Sequence, residues 1–173
     1  MQATVVRPEL VREVQMGPFK HKVDDGLEIR KSAYEMLYSL LDTPSSRQRL
    51  DIVAFYDRIV AGIADEHEIK ILCCLVLSKL LVLEPVESAR RMDSLAQQFR
   101  LVLAFKPKEN AVKQELERLA EQNRAVVKIS VAFSKALGAE ESKGWKDYFE
   151  WVKKDFAPLV KSAEEDLKES RER

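Results

Sequence analysis

The chain has 173 residues, which a prior of roughly 150 residues per domain reads as a single unit. Its 5 glycines and 6 prolines are too few for an all-β, collagen-like or linker protein, and 46% apolar residues fit a soluble, mostly helical one. With 29 Lys and Arg against 29 Asp and Glu and no long run of one sign, nothing electrostatic points to a nucleic-acid or anionic-membrane partner.

The first residues, Met1 to Pro8, lack the apolar core of a signal peptide. From Leu10 to Asp24 the pattern is not helical. Leu10, Val14 and Met16 share one parity, and so do Phe19, His21 and Val23 beyond Gly17-Pro18. That alternation about a turn dipeptide predicts a β-hairpin arm within an N-terminal segment, residues 1–26. Gly-Pro is not among the favoured two-residue hairpin turns, so a longer loop is expected. A lone hairpin is marginal in water. It is either a partner-binding device or a flap folded over the edge of the helices.

Helical repeats are predicted over residues 27–137. Leu27 to Asp42 carries Ala33, Tyr34, Leu37, Tyr38, Leu40 and Leu41 on one wide face, with Asp24 or Asp25 as N-cap and Pro44 at the exit. A second helix, Asp51 to Ala64, has the stripe Ile52, Phe55, Tyr56, Ile59, Val60 and Ile63. A third, Glu68 to Leu83, is apolar almost all round and must be sandwiched between neighbours. Pro85 ends it. A fourth runs from Glu87 to Phe105 before Pro107. From Asn110 to about Leu137 the pattern is helical again, with a break expected near Gln122-Asn123. In the last segment, 138–173, Gly138 and Gly144 bracket a loop. An aromatic capping helix follows with Trp145, Tyr148, Phe149, Val152 and Phe156 on one face, and then a frayed, charged tail beyond Leu167.

Glu28-Ile29-Arg30 matches Glu68-Ile69-Lys70 at an offset of 40, and Leu37, Leu40 and Leu41 match Leu77, Leu80 and Leu81 at the same offset. A weaker third copy begins near Arg124. Two-helix repeats of about 40–47 residues mark HEAT and armadillo solenoids. The fold class expected is therefore all-α, a HEAT-repeat-like α–α superhelix with an N-terminal β-hairpin arm. The chain opens on an inner helix without the outer helix that should precede it. It thus reads as the C-terminal slice of a longer solenoid, capped by the aromatic helix.

No enzyme is indicated. There is no glycine-rich phosphate loop, Gly-x-Ser-x-Gly elbow or His-Glu-x-x-His, and no cofactor or catalytic constellation is expected. Cys73 and Cys74 are neighbours within the apolar run Ile71 to Leu77, where free Cys behaves as a small hydrophobe. They lack the Cys-x-x-Cys spacing of a zinc site. That run falls well short of the about 20 apolar residues of a membrane span. His67 reads as surface loop between helices. Tyr148, Phe149 and Trp151 read as terminal packing, not base stacking. Cytoplasm and nucleus are the expected compartments.

The run Met16-Gly17-Pro18-Phe19-Lys20-His21-Lys22-Val23-Asp24-Asp25-Gly26, with Leu10 to Gln15 before it and Leu27-Glu28-Ile29-Arg30-Lys31 after it, resembles the C-terminal region of the cullin-associated and neddylation-dissociated proteins. That region is also described as a TATA-binding-protein-interacting domain. The likeness continues at Arg49-Leu50-Asp51-Ile52, Glu68-Ile69-Lys70 and Asn110 to Glu115, with little similarity from Gly138 on. The resemblance implies a non-enzymatic HEAT solenoid that wraps an unneddylated cullin. Its C-terminal hairpin would occupy the surface of the cullin N-terminal region where a substrate adaptor docks, so that one substrate-receptor module is exchanged for another. Within that hairpin the partner contacts expected are Val14, Met16, Gly17, Pro18, Phe19, Lys20, His21 and Lys22; Met16 and Phe19 at the tip read as anchor, and Lys20 and Lys22, on the opposite parity from Phe19, as rim. The repeats alone equally allow a generic HEAT scaffold or a transcription-linked interaction module.

Overall fold

Apolar stripes, prolines and a few capping side chains set where each element begins and ends. The computed structural model describes residues 2–17 and 19–172, with the backbone alone of Met16, Phe19, His21, Arg171 and Glu172. Two single 3-10 turns, Gln2–Thr4 and Pro8–Leu10, lead into β1 (Val11–Met16) and β2 (Phe19–Asp24). The strands pair antiparallel from Val11 opposite Asp24 to Met16 opposite Phe19. Two residues therefore join them, where a longer loop was expected. Gly17 has φ +63°, the sign that the first central position of a type II′ hairpin turn requires and that glycine adopts without strain. Pro18, the second of the pair, lies outside the described residues.

Among the described residues the helices are α1 (Leu27–Leu40), α2 (Pro44–Arg47), α3 (Ile52–Gly62), α4 (His67–Leu83), α5 (Pro85–Arg90), α6 (Met92–Ala104), α7 (Lys113–Ser134), α8 (Lys143–Asp155) and α9 (Ala157–Glu172). Asp51 caps α3 by accepting from Ala54 N at 3.1 Å, and Ser142 caps α8 by accepting from Trp145 N at 3.0 Å. Pro44 and Pro85 each sit at the start of a short helix, where a missing N–H costs nothing.

These helices form a HEAT-like superhelical stack of two layers. α1, α4, α7 and α9 lie side by side in one layer, and α3, α6 and α8 form the other. α4 lies between α1 and α7 and also packs on α3, which explains why it is apolar nearly all round. The offset of 40 superimposes α1 on α4, but with different burial. Ile69 is fully buried, whereas Ile29, on the outermost helix of the layer, is 57% exposed.

Several sequence expectations are corrected. Neither Asp24 nor Asp25 caps α1: the N-cap position is Gly26, and Asp24 accepts from Gly26 N at 3.0 Å while serving a larger role described below. The helix expected from Glu87 to Phe105 is two, turning at Arg91, whose Nε donates to Glu87 at 2.8 Å and whose Nη1 reaches Asp57. α7 runs unbroken through Gln122-Asn123, since neither residue removes a backbone donor or forces a positive φ. The terminal aromatic helix is likewise two, parted at Phe156, and the tail stays helical to Glu172 with Lys128 holding Asp166 at 2.9 Å. His67 is not in a loop but opens α4. Its Nε2 is 2.9 Å from Glu121 on α7.

Close helix approach makes one glycine decisive. A Cβ on Gly62 would lie 2.4 Å from Cys73 Sγ and 2.5 Å from Tyr34 Oη, so α3 meets both α4 and α1 there without space for a methyl group. Ala favours helix over Gly by about 1 kcal/mol, while overpacking typically costs about 1–3 kcal/mol and forces neighbours off their rotamers. Gly62→Ala is expected to lower the urea midpoint of the chain with an unchanged slope. A raised midpoint would contradict the described α1–α3–α4 junction.

Candidate functional site

The register of the hairpin sorts its residues. Residues directly opposite in an antiparallel pair share a face. Positions Arg12, Val14 and Met16 are therefore on one face with Val23, His21 and Phe19, and Val11, Glu13 and Gln15 are on the other with Asp24, Lys22 and Lys20. The alternating apolar set of both strands thus falls on one side and both lysines fall on the other. Val14 is half-buried, and Gly17, Lys20 and Lys22 are exposed, with Lys20 Nζ 3.5 Å from the Glu13 carboxylate. Among the described side chains from Val11 to Lys22 none is buried: Val11 and Val14 are half-buried and the others are exposed. Pro18 and the side chains of Met16, Phe19 and His21 lie outside what is described, and their contacts remain sequence expectations.

The base of the arm is built differently from its tip. Arg30, in the first turn of α1, is only 2% exposed. Its Nη1 and Nη2 donate to Asp24 at 3.2 and 2.8 Å, and its Nε and Nη2 donate to Asp65 at 2.9 and 2.8 Å. Asp24 ends β2, and Asp65 lies in the turn between α3 and α4. The two forks bind one planar guanidinium to two carboxylates of different elements, a geometry that the five fixed donors of Arg permit and the point charge of Lys does not. Hydrogen bonding to Asp65, then to Asp24, raises the Arg30 pKa further, and hydrogen bonding to Arg30 holds the Asp24 carboxyl below its usual range. Leu10 O accepts from Asp25 N at 3.0 Å, and Arg12 pairs with Asp25 at 2.9 Å in the open.

Asp65 also receives the equivalent cation of the next repeat. Lys70 Nζ donates to the Asp65 carbonyl oxygen, while burial lowers the Lys70 pKa. The two matched triplets, Glu28-Ile29-Arg30 and Glu68-Ile69-Lys70, therefore converge on one turn residue, a meeting that the repeat pattern did not announce. Sequence reasoning missed this junction although a signal was present. The buried face of α1 is Arg30, Ala33, Tyr34 and Leu37, so a charged residue occupies the first position of an i, i+3, i+4, i+7 stripe, where burial demands partners.

Other candidates carry less. Burial pushes the Cys73 thiol well up and the Cys74 thiol up to about 12, so neither is a poised nucleophile. Among the described residues no group of three or more His, Cys, Asp or Glu is placed to hold a metal ion, and no helix is long and apolar enough to cross a membrane. Tyr148 and Trp145 are buried in an aromatic cluster, as terminal packing requires; Trp151 is half-buried beside them. A groove of about 580 Å³ opens where the C-terminal end of α6 faces the starts of α4 and α7, beside the exposed Leu101 and Phe105.

Comparison with known proteins bears on the arm and the repeats together. Residues 1–153 match the family described as TATA-binding protein interacting (TIP20). The chain is 49% identical over 168 residues, 95% of its length, to the C-terminal part of cullin-associated NEDD8-dissociated protein 1 of Emericella nidulans. It is 40% identical over 150 residues, 87% of its length, to cullin-associated NEDD8-dissociated protein 1 of Drosophila melanogaster. It is 36% identical over 167 residues, 95% of its length, to protein 2 of that name from Rattus norvegicus. Similarity thus extends well past Gly138, where the motifs quoted above had run out. The matched stretch covers 16%, 12% and 13% of these three relatives, so the chain spans a small part of their length.

Proposed function

The chain belongs to the family of cullin-associated NEDD8-dissociated proteins, and from that membership we propose that it is the cullin-binding C-terminal module of an exchange factor for cullin–RING ubiquitin ligases. In this reading the hairpin occupies the surface of an unneddylated cullin N-terminal region where a substrate adaptor would dock. The module performs no chemistry; it changes which complex persists. The observation that supports the reading most is the arm itself: a hairpin whose register sets its apolar positions on one face, with no described side chain from Val11 to Lys22 buried and a buried Arg at its base.

Hairpin and adaptor compete for one surface, and while both are partly engaged each raises the dissociation rate of the other. Such coupling is reciprocal: the factor by which the hairpin weakens the adaptor is the factor by which the adaptor weakens the hairpin. Zero net charge fits docking by shape and apolar anchors, with Lys20 and Lys22 at the rim acting mainly on association rate and salt dependence. Phe19→Ala removes an anchor and is expected to cost about 1–4 kcal/mol of cullin affinity.

The deciding measurement is the rate at which a labelled adaptor leaves unneddylated cullin in the presence of full-length protein, with and without Met16 to Lys22. Loss of acceleration on deleting the hairpin supports the reading, and an unchanged rate overturns it. The family description names TATA-binding protein, which favours one alternative. A protein that binds TATA-binding protein through its repeats and ignores cullin would establish the transcription-linked module instead.

A further inference from the structure

The geometry at the base of the arm carries an inference that rests on this reading and deepens it. β2 ends at Asp24 and α1 begins at Leu27, so only Asp25 and Gly26 separate the arm from the solenoid on that side. Two residues of turn define a direction poorly. Six-residue strands at about 3.3 Å per residue put the tip about 20 Å away, so a 10° swing at the base moves it about 3.5 Å. That displacement far exceeds the tolerance of about 0.5 Å within which a binding constellation must be held. Something must fix the angle.

We infer that Arg30 is the positioning residue of the hairpin: by gripping Asp24 and Asp65 at once, it sets the direction in which the arm leaves the solenoid and ties that direction to the following repeat. Each of its two carboxylate partners reports a different body. Asp24 moves with β2, and Asp65 moves with the turn that starts α4. The carboxylates are 10% and 7% exposed, so water competes little for the joint. Lys70 fastens the same turn from its carbonyl side. Gly26 completes the seat: a Cβ there would come 3.1 Å from Leu10 Cδ1, 3.3 Å from Asp24 Oδ1 and 3.4 Å from Arg30 Nη1. The exposed Arg12–Asp25 pair cannot substitute for this joint, since ion pairs in water hold little.

Charge alone would also be served by Lys, but Lys cannot present two parallel forks. Asp24→Asn and Arg30→Lys are therefore the informative variants. Asp24→Asn is the milder, because the Arg30–Asp65 fork stays intact beneath it. Hydrogen–deuterium exchange on the full-length protein reads the arm directly, and adaptor release from unneddylated cullin reads its use. In both variants hairpin amides are expected to exchange at least about tenfold faster, as the loss of charge-assisted hydrogen bonds implies, while α3 and α6 amides keep their protection. Adaptor release should slow by a similar factor. In protein already lacking Met16 to Lys22, Asp24→Asn should change adaptor release less than about twofold, because coupled groups are not additive. Hairpin exchange unchanged in Asp24→Asn, wild-type behaviour in Arg30→Lys, or an equal loss in the hairpin-less protein would each overturn the inference. If deleting the hairpin itself leaves release unchanged, the functional reading fails, and the exchange measurement still decides the role of Arg30.

Discussion

Trp145→Ala is expected to destabilise the chain by about 3–5 kcal/mol, the range for removing a fully buried large aromatic side chain. Trp145 is 1% exposed, and its ring centroid lies 5.3 Å from Tyr148, 5.6 Å from Phe133 and 6.4 Å from Phe99. Those rings come from α8, α7 and α6, so one side chain joins the last repeat to the helices that close the stack. Edge and tilted aromatic pairs at such distances add about 0.5–1.5 kcal/mol beyond the area they bury. Among the described residues the indole N–H is buried without a hydrogen-bond partner, which subtracts from the total without reversing it. The comparison is Trp151→Ala. Trp151 is half-buried, with Arg100 5.0 Å above its ring and Phe156 at 5.6 Å, and it should cost far less. Urea unfolding followed by far-ultraviolet circular dichroism checks both, since each variant removes one of the two tryptophan fluorophores and alters the fluorescence signal itself. A loss below about 1 kcal/mol for Trp145→Ala would mean that α8 and α9 are not an integral cap, because core aromatic truncations do not come so cheaply.

How legible the molecule was in its sequence differed by kind of interaction. Periodicity located the arm and the long helices up to α8, because burying Leu37, Phe55, Leu77 or Phe99 imposes a spacing that sequence must carry; the charged α9 was not separated from the helix before it. Breaks were read less well. Gln122-Asn123 suggested a break, yet a polar pair inside a helix costs only tenths of a kcal/mol, and the packing of Val126, Val127 and Phe133 overrides it. The real turn at Arg91 carries no proline or glycine, and its side chain reaches Asp57, 34 residues away, which no local pattern reveals. The same holds for the seat of the arm. Alternation exposed the apolar face at Val14, Met16 and Phe19, but the joint beneath it pairs Arg30 with Asp65 across 35 residues. Only the oddity of an Arg heading an apolar stripe hinted at it. Apolar burial leaves a periodic trace because it is one-sided; a three-residue ion joint is a coincidence of chain positions and leaves none.

The isolated chain is expected to bind unneddylated cullin about 10²–10⁴ times more weakly than the full-length protein, although the hairpin and its seat are both present. The curated relatives are six to eight times longer than the stretch that matches them, as coverages of 12–16% require. If, as proposed, a long solenoid grips cullin elsewhere, docking of the hairpin becomes an intramolecular step, governed by effective concentration and not by bulk concentration. Removing the distant grip returns the hairpin to bulk concentration without altering a single hairpin contact. Titration calorimetry on the chain and on the full-length protein, at one salt concentration because Lys20 and Lys22 are exposed, measures the ratio directly. Equal affinities would locate the whole grip in these residues and remove the need for distant contacts. The converse variant completes the test. Full-length protein without Met16 to Lys22 should keep most of its cullin affinity and lose adaptor displacement, because affinity would reside in the length of the solenoid and displacement in the arm. If both properties fell together, grip and displacement would be one contact, and the fixed angle of the arm would matter for affinity alone.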